Sequence, residues 1–297
     1  MNRPRKRALV AATGLLVLGC LDVVDAKGAS TMTLVSARTS ATTVVAPQSG
    51  NPFASAVIAG FLRSRTSNVT AALYEPISKR TYLYRPNFDQ AAASMVKIDI
   101  LGDLLFEAQL AHRVLDSTER NLAATMVEDS GNVAAQRLWN DVGGLGLSAR
   151  TRGTGGYYAI GSFNQLVGFD QTETNWAWGL METTPSDFLK LLAAIWLPGS
   201  LLSRSSQAYE RSLMENVLAS QRFGIANGVP AEAEVGIKDG WYPESSGWQV
   251  NTAGYVHLGR VTYLAVVMSG ENPDEDYGIN TVNVLGTLLW RFEQTSS

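Results

Sequence analysis

Ser94 and Lys97, three residues apart in Ala93-Ser94-Met95-Val96-Lys97, could together make a nucleophile for acyl transfer. They open the apolar run Ile98-Asp99-Ile100-Leu101, whose helical spacing brings hydroxyl and amine to one face within a single turn. A serine hydroxyl attacks a carbonyl poorly until a neighbouring base takes its proton; a lysine can serve when burial or nearby charge lowers its pKa. The unpaired N–H groups of a helix start favour negative charge beside the serine. Of the six lysines only Lys97 has a serine three places before it. Taken alone the pair is weak evidence, because two polar residues on a surface helix would read the same.

Several elements must position this pair. Pro52 to Arg63 reads as an amphipathic helix with Phe53, Val57, Ile58, Phe61 and Leu62 on one face. Asn68 to Tyr74 and Arg80 to Tyr84 alternate like strands around the turn-rich Glu75-Pro76-Ile77-Ser78, which predicts a hairpin. The nucleophile helix follows, over about Ser94 to Ala111. A helix from Ser117 stops near Glu128 to Asn132 and another starts at Val133, leaving Ser130 and Asn132 on the turn between them. Gly143 to Gly156 reads as loop. Thr183-Thr184-Pro185-Ser186-Asp187 caps an apolar helix from Phe188 to Trp196. A further helix, Gln207 to Gln221, precedes strands at Ala233–Asp239, Trp248–Leu258 and Val261–Ser269, and Tyr277 to Arg291 closes the chain as a helix. Strands at both ends with helices between predict one antiparallel sheet built from both termini, plus a helical insert.

At 297 residues, 45% hydrophobic and 17% charged, the chain can bury a full core as one large domain or two intimate subdomains. The net charge of −3 includes the basic segment Arg3, Arg5, Lys6 and Arg7, so the remainder is more acidic and no nucleic-acid partner is expected. That segment precedes an apolar run, Ala8 to Gly19, too short to span a bilayer; together they read as an export signal over residues 1–26. Two processing sites compete. Val17-Leu18-Gly19-Cys20 resembles a lipobox, which would attach the chain to the membrane through lipidated Cys20, and Val24-Asp25-Ala26 resembles an ordinary cleavage site. Cys20 is the only cysteine, so no intramolecular disulfide can form. Residues 27–50, rich in Ser, Thr, Ala and Val, suit a tether, and the folded domain is expected over 51–297.

Three short elements recur in order: Ser94-Met95-Val96-Lys97, then Ser130-Gly131-Asn132, then Lys238-Asp239-Gly240 on a late strand. The set resembles the penicillin-recognising serine hydrolases, the superfamily of class A β-lactamases and D,D-peptidases, whose motifs are S-x-x-K, S-D-N and K-T-G. The resemblance covers nearly all of Asn51 to Arg291. It implies an α/β fold of the α+β kind, with about five antiparallel strands, flanking terminal helices and an all-helical subdomain, the cleft lying between them. It implies Ser94 as the acylated nucleophile, Lys97 as its base or proton relay, Ser130 passing a proton to the leaving nitrogen, and Lys238 supplying positive field. Asn132, Asp239, Gly240 and Trp241 fall at substrate-binding positions, with the backbone N–H groups of Ser94 and Trp241 as the oxyanion hole. Read locally, Ser130 and Asn132 could instead cap a helix, and Lys238 could be a solvated strand residue.

Departures from the pattern bear on substrate and turnover. Gly131 replaces the usual middle Asp, which should alter the turn while leaving both polar partners available. Asp239 stands where Thr or Ser would help bind a substrate carboxylate, and an ionised Asp would repel it unless Lys238 or an arginine offsets the charge. The glutamate that activates deacylating water in class A enzymes sits in E-x-x-x-N; counting back from Asn175 gives Gln171, which is no base, with Glu173, Asp170 and Glu182 nearby. Slow or differently assisted deacylation is therefore expected. The two histidines, His112 and His257, read as packing residues, and neither a Ser-His-Asp arrangement nor a metal or other cofactor is implied. Asp99 and Glu128 read as structural, and Trp241, Tyr242 and Trp248 could wall the cleft. The reading is an exported, monomeric serine hydrolase acting on a small-molecule or peptide acyl substrate. The alternatives are a D,D-peptidase or esterase of the same fold, and a non-catalytic wall-binding lipoprotein.

Overall fold

Continuous apolar runs along the late strands mark a sheet covered on both faces. The computed structural model describes residues 50–142 and 155–296. It contains a five-stranded antiparallel sheet in the order β2-β1-β7-β6-β5, from β1 (Asn68–Glu75), β2 (Arg80–Tyr84), β5 (Glu234–Glu244), β6 (Gly247–Leu258) and β7 (Val261–Asn272). On β6, Val250 meets Gly278 of the closing helix α8 (Glu275–Ser296), whereas Tyr255 stacks 4.3 Å from Trp196 of α6 (Pro185–Trp196). Odd and even positions thus serve opposite faces. Strands covered on both sides read as continuous apolar runs, and Leu264 to Met268 on β7 are buried without interruption.

Helices fill the middle of the chain. They are α2 (Val96–Leu110), α3 (Ser117–Val127), α4 (Asn132–Asp141), α5 (Gly155–Val167), α6 and α7 (Arg204–Glu215). Asp116 and Glu119 start α3 as a reciprocal capping box, and Thr184 caps α6 by accepting from Asp187 N–H at 3.2 Å. The α/β fold and hairpin expected from the sequence are present. The expected export signal with Cys20, the tether through residue 49, and residues 143–154 of the glycine-rich stretch lie outside the described residues.

Local details differ from the periodicity. The helix expected over Pro52 to Arg63 divides into a 3₁₀ turn, Pro52–Ala54, and α1, Ala56–Ser64, because Asn51 and Ser55 cap separate starts. That restart rotates Val57 out of the apolar face, leaving it exposed. The helix expected from Gln207 to Gln221 instead starts after the cap Ser203 and ends at Glu215, where the chain turns to let Leu218 N–H reach Glu128 O (3.1 Å). Gly155 and Gly156 begin a helix rather than end a loop; its weak formers are compensated by burying Ile160 and Phe163. A short pair, β3 (Gln90–Ala91) with β4 (Glu182–Thr183), was not legible, since two residues carry no period.

Behind the nucleophile helix lie three buried carboxyls: Asp99 and Asp103 on α2 and Glu210 on α7. Asn164 of α5 donates to Asp99 Oδ2 at 3.0 Å. Burial pushes Asp99 up to about 7 and raises Asp103 and Glu210 well above the usual carboxylate range, the proximity of Asp99 adding to both. Raised folded-state values mean that these groups stabilise while protonated, so their contribution is full below about pH 4 and is lost as pH rises through about 7 for Asp99. Thermal unfolding should show Tm falling as pH rises from about 4 through about 7. Asp99→Asn, which keeps an acceptor for Asn164 and carries no charge, should gain roughly 5 °C at pH 8 and flatten that fall.

Candidate active site

Ser94 lies in a 3₁₀ turn, Ala93–Met95, that leads into α2. Ala93 just before it takes a left-handed backbone (φ 51°), an unfavourable state for a non-glycine residue that its surroundings must hold. Three contacts hold it. Ala92 N–H donates to Met181 O at 2.8 Å, and Asn251 of β6 donates its Nδ2 to the carbonyls of Ala91 (2.8 Å) and Ala92 (3.2 Å). Asn251 is itself fixed by Gln249, and Gln249 by Gln90. Each of these groups is buried, so each unmade bond would cost about 1–3 kcal/mol.

Lys97 is fully buried and its amine meets four oxygens: Ser94 Oγ at 2.9 Å, Ser130 O at 2.6 Å, Ser130 Oγ at 3.0 Å and Asn132 Oδ1 at 2.8 Å. All four are neutral. Burial, with the nearby charge of Lys238, pulls the Lys97 pKa down to about 7. A large fraction of these amines is therefore unprotonated at neutral pH and able to take the Ser94 proton. Ser130, with φ 55°, presents both its carbonyl and its hydroxyl oxygen to Lys97 from the link between α3 and α4. Gly131 is needed there for a different reason from the one its replacement of Asp suggests. A Cβ at 131 would come within 2.8 Å of Thr125 Cγ2 and 3.0 Å of Thr125 O.

Lys238 is buried on β5, where it donates to Asp239 O at 3.0 Å, and burial lowers its pKa to about 8. Gly240, next but one, is the close approach of the sheet to the nucleophile. An added Cβ would lie 2.5 Å from Ser94 N and 2.8 Å from Met95 N, so only glycine lets the backbone of β5 lie against that turn. Strand alternation sends Asp239 and Trp241 to the other face. Asp239 Oδ2 accepts from Phe223 N–H at 2.7 Å, and the Trp241 ring packs edge-on against Phe223, 5.3 Å between centroids. Burial pushes Asp239 up to about 7 against the opposing pull of Thr252, the Phe223 amide, Lys238 and Arg222. This corrects the expected placement of Asp239 against a substrate carboxylate: the side chain anchors the loop before β5. The expected repulsion is muted accordingly.

The structure thus brings Ser94, Lys97, Ser130 and Asn132 together directly and sets Lys238 and Gly240 behind them. The loop carrying Gln171 does not join them. Asp187 binds the backbone N–H groups of Asp170 and Gln171, and Asp170 pairs with Lys190 at 3.1 Å. Glu173 is exposed beside Tyr158 and Gln165. Sequence reasoning missed Trp178, whose ring lies 5.2 Å from Lys97 Nζ, and it missed the buried Gln90, Gln249 and Asn251. Polar residues at strand positions that otherwise read as core were the available signal for Gln249 and Asn251.

Comparison with known proteins agrees with this fold. A family model described as "Beta-lactamase enzyme family" matches residues 112–292, a span that includes Ser130, Asn132 and Lys238 and begins after Ser94 and Lys97. Among solved structures, TLA-1 extended-spectrum β-lactamase superposes with TM-score 0.69 at 14% identity, over 82% of this chain and 99% of its own. A β-lactamase from Chitinophaga pinensis gives 0.66 at 17% identity, over 78% and 96%. A mutant of PBP-A, solved as an acyl-enzyme complex with penicillin G, gives 0.66 at 17% identity, over 80% and 94%. No curated protein matches the sequence.

The approach of β5 to Ser94 yields a direct test. Gly240→Ala should keep the circular-dichroism spectrum of the fold while displacing the nucleophile turn, slowing acylation of Ser94 by about 100-fold or more.

Proposed function

The chain belongs to the beta-lactamase enzyme family, and on that premise we propose that it is a serine hydrolase forming an acyl-enzyme at Ser94 with β-lactam, peptide-amide or ester carbonyls. The observation that carries this reading is the buried Lys97 amine within 2.9 Å of Ser94 Oγ, surrounded by neutral acceptors and lowered to about 7. In acylation, Ser94 Oγ attacks the carbonyl carbon as its proton passes to the neutral Lys97 amine. The developing oxyanion is met by the N–H groups of Ser94 and Trp241, which the close seating of Gly240 supports. As the carbonyl–nitrogen bond breaks, Ser130 Oγ gives its proton to the leaving nitrogen and recovers one from Lys97, with which it is already hydrogen-bonded at 3.0 Å. Asn132 holds the substrate amide, and Lys238 supplies positive field from behind.

The basic segment ending at Arg7 and the apolar run that follows support export, and the Val17-Leu18-Gly19-Cys20 pattern supports anchoring to the outer face of the cytoplasmic membrane. The enzyme acts there as a monomer on a small-molecule or peptide acyl substrate. A D,D-peptidase or esterase is the second reading, and it is favoured by Gln171 standing where a glutamate would activate water.

Intact mass after incubation with a fluorescent penicillin is the test, with Ser94→Ala in parallel. An adduct absent from Ser94→Ala is expected; no adduct with penicillin but labelling of Ser94 by a general serine acylator would shift the reading to the esterase, and silence toward both would leave a non-catalytic binder. The acylation rate should rise with pH through about 7 as Lys97 loses its proton, and decline through about 8 as Lys238 loses its charge. A flat profile across pH 6 to 9 would sink the lysine-base mechanism.

A further inference from the structure

A polar pocket of about 400 Å³ opens between α5 and the loop before β4, and none of its lining residues belongs to the group around Ser94. We propose that it binds a neutral saccharide: the Tyr158 ring, backed by Trp176, packs against the sugar's C–H face, and Gln165, Glu173 and Thr174 bond its hydroxyls. The volume falls in the range of small-molecule sites. One wall is a single face of α5. Tyr158, Ser162 and Gln165 recur there at helical spacing, while Ile160 and Phe163 turn to the core. The other wall is Glu173 and Thr174, fixed to β4 by Glu173 N–H donating to Glu182 O at 2.9 Å. Gly161 lets the walls approach, since a Cβ there would lie 3.2 Å from Thr174 Oγ1.

Two features select the ligand. Tyr158 is 50% and Trp176 56% exposed, with the rings nearly perpendicular and 5.8 Å apart. Aromatic surface held open to water forgoes the gain of burial and presents an electron-rich face. A pyranose carries on one side a patch of C–H bonds, weakly positive and apolar, that matches such a face. The second feature is polar. The side chains of Gln165, Glu173 and Thr174 are engaged in no hydrogen bond among the described residues. Together they offer carboxylate and carbonyl acceptors, an amide donor and a hydroxyl that does both, the mixture that neighbouring sugar hydroxyls require. Glu173 is the charged group of the lining, so an anionic ligand is repelled. An apolar ligand would strip water from these groups without replacing it. The same loop carries Trp178, whose ring lies 5.2 Å from Lys97 Nζ, so the saccharide is held by the segment that also borders the nucleophile. The site does not depend on acylation of Ser94.

The test is calorimetric titration of the full chain with three neutral trisaccharides, cellotriose, maltotriose and N-acetylchitotriose, with trigalacturonate as an anionic counterpart and acetyl-Gly-Gly-amide as a neutral peptide. Saturable binding of at least one neutral trisaccharide is expected, with trigalacturonate bound more weakly. Tyr158→Ala should weaken it about tenfold, the scale of one aromatic contact. Glu173→Gln should weaken it about fivefold, within the span of a hydrogen bond to a charged group, and should also reduce the discrimination against trigalacturonate, which a merely structural role would not move. Circular-dichroism melting of each variant controls for folding. Should Tyr158→Ala fail to fold, Gln165→Ala, an exposed change on α5, should still weaken binding about threefold. No binding of any of the three sugars would overturn the proposal. Equal affinity in every folded variant would overturn the location, and tighter binding of the capped peptide than of any sugar would overturn the ligand class.

Discussion

A primary amine buried among neutral oxygens is the constraint on which the site depends. Among the described residues no carboxylate is hydrogen-bonded to the Lys97 amine, and desolvation and Lys238 lower its pKa into the neutral range. Its hydrogen-bonding capacity must still be met inside the protein, and that requirement draws Ser94, Ser130 and Asn132 to one point from two different parts of the chain. Had a carboxylate been paired with it, the amine would keep its proton and could not serve as a base. Chemistry and packing therefore impose the same arrangement.

The second constraint is the distance between sheet and nucleophile. Gly240 lets β5 lie against the Ser94 turn, and Asn251 ties the carbonyls before that turn to β6. Ala93 sits in a left-handed conformation between those ties. Strain of this kind, on the order of 1–3 kcal/mol, persists only where surrounding bonds over-determine it. The sheet thus acts as a rigid backing for the attacking atom, while the helices carry the proton-transfer partners. The buried carboxyls Asp99, Asp103 and Glu210 follow the same rule, since burial favours the neutral form of each.

Asp239 shows how strand geometry can redirect a residue whose type suggests another role. Lys238 and Gly240 share the face toward Ser94, so Asp239 between them points to Phe223 and Thr252. There its carboxylate binds a backbone N–H and stabilises the loop before the strand. Trp178 shows the converse. Nothing in its type marks it as part of a site, yet the turn at Trp178–Leu180 sets its ring against the one amine that matters.

Much of this was legible before any coordinates. Hydrophobic period and capping residues placed the strands of the sheet, α3, α4, α6 and α8, and an apolar run placed α2, which is buried nearly all round. Motif spacing singled out Ser94, Lys97, Ser130 and Lys238, since the residue types needed for lysine-assisted acyl transfer are few. The helix α5, rich in glycine and tyrosine, escaped because its stability comes from burial against other helices rather than from propensity. Sequence by itself determined which groups are available for the chemistry and roughly where along the chain they stand. Only the tertiary structure decided which face of β5 looks at the nucleophile, what lies beside the Lys97 amine, and how deeply that amine is buried. Those are distances between segments far apart in sequence, and no local pattern encodes them.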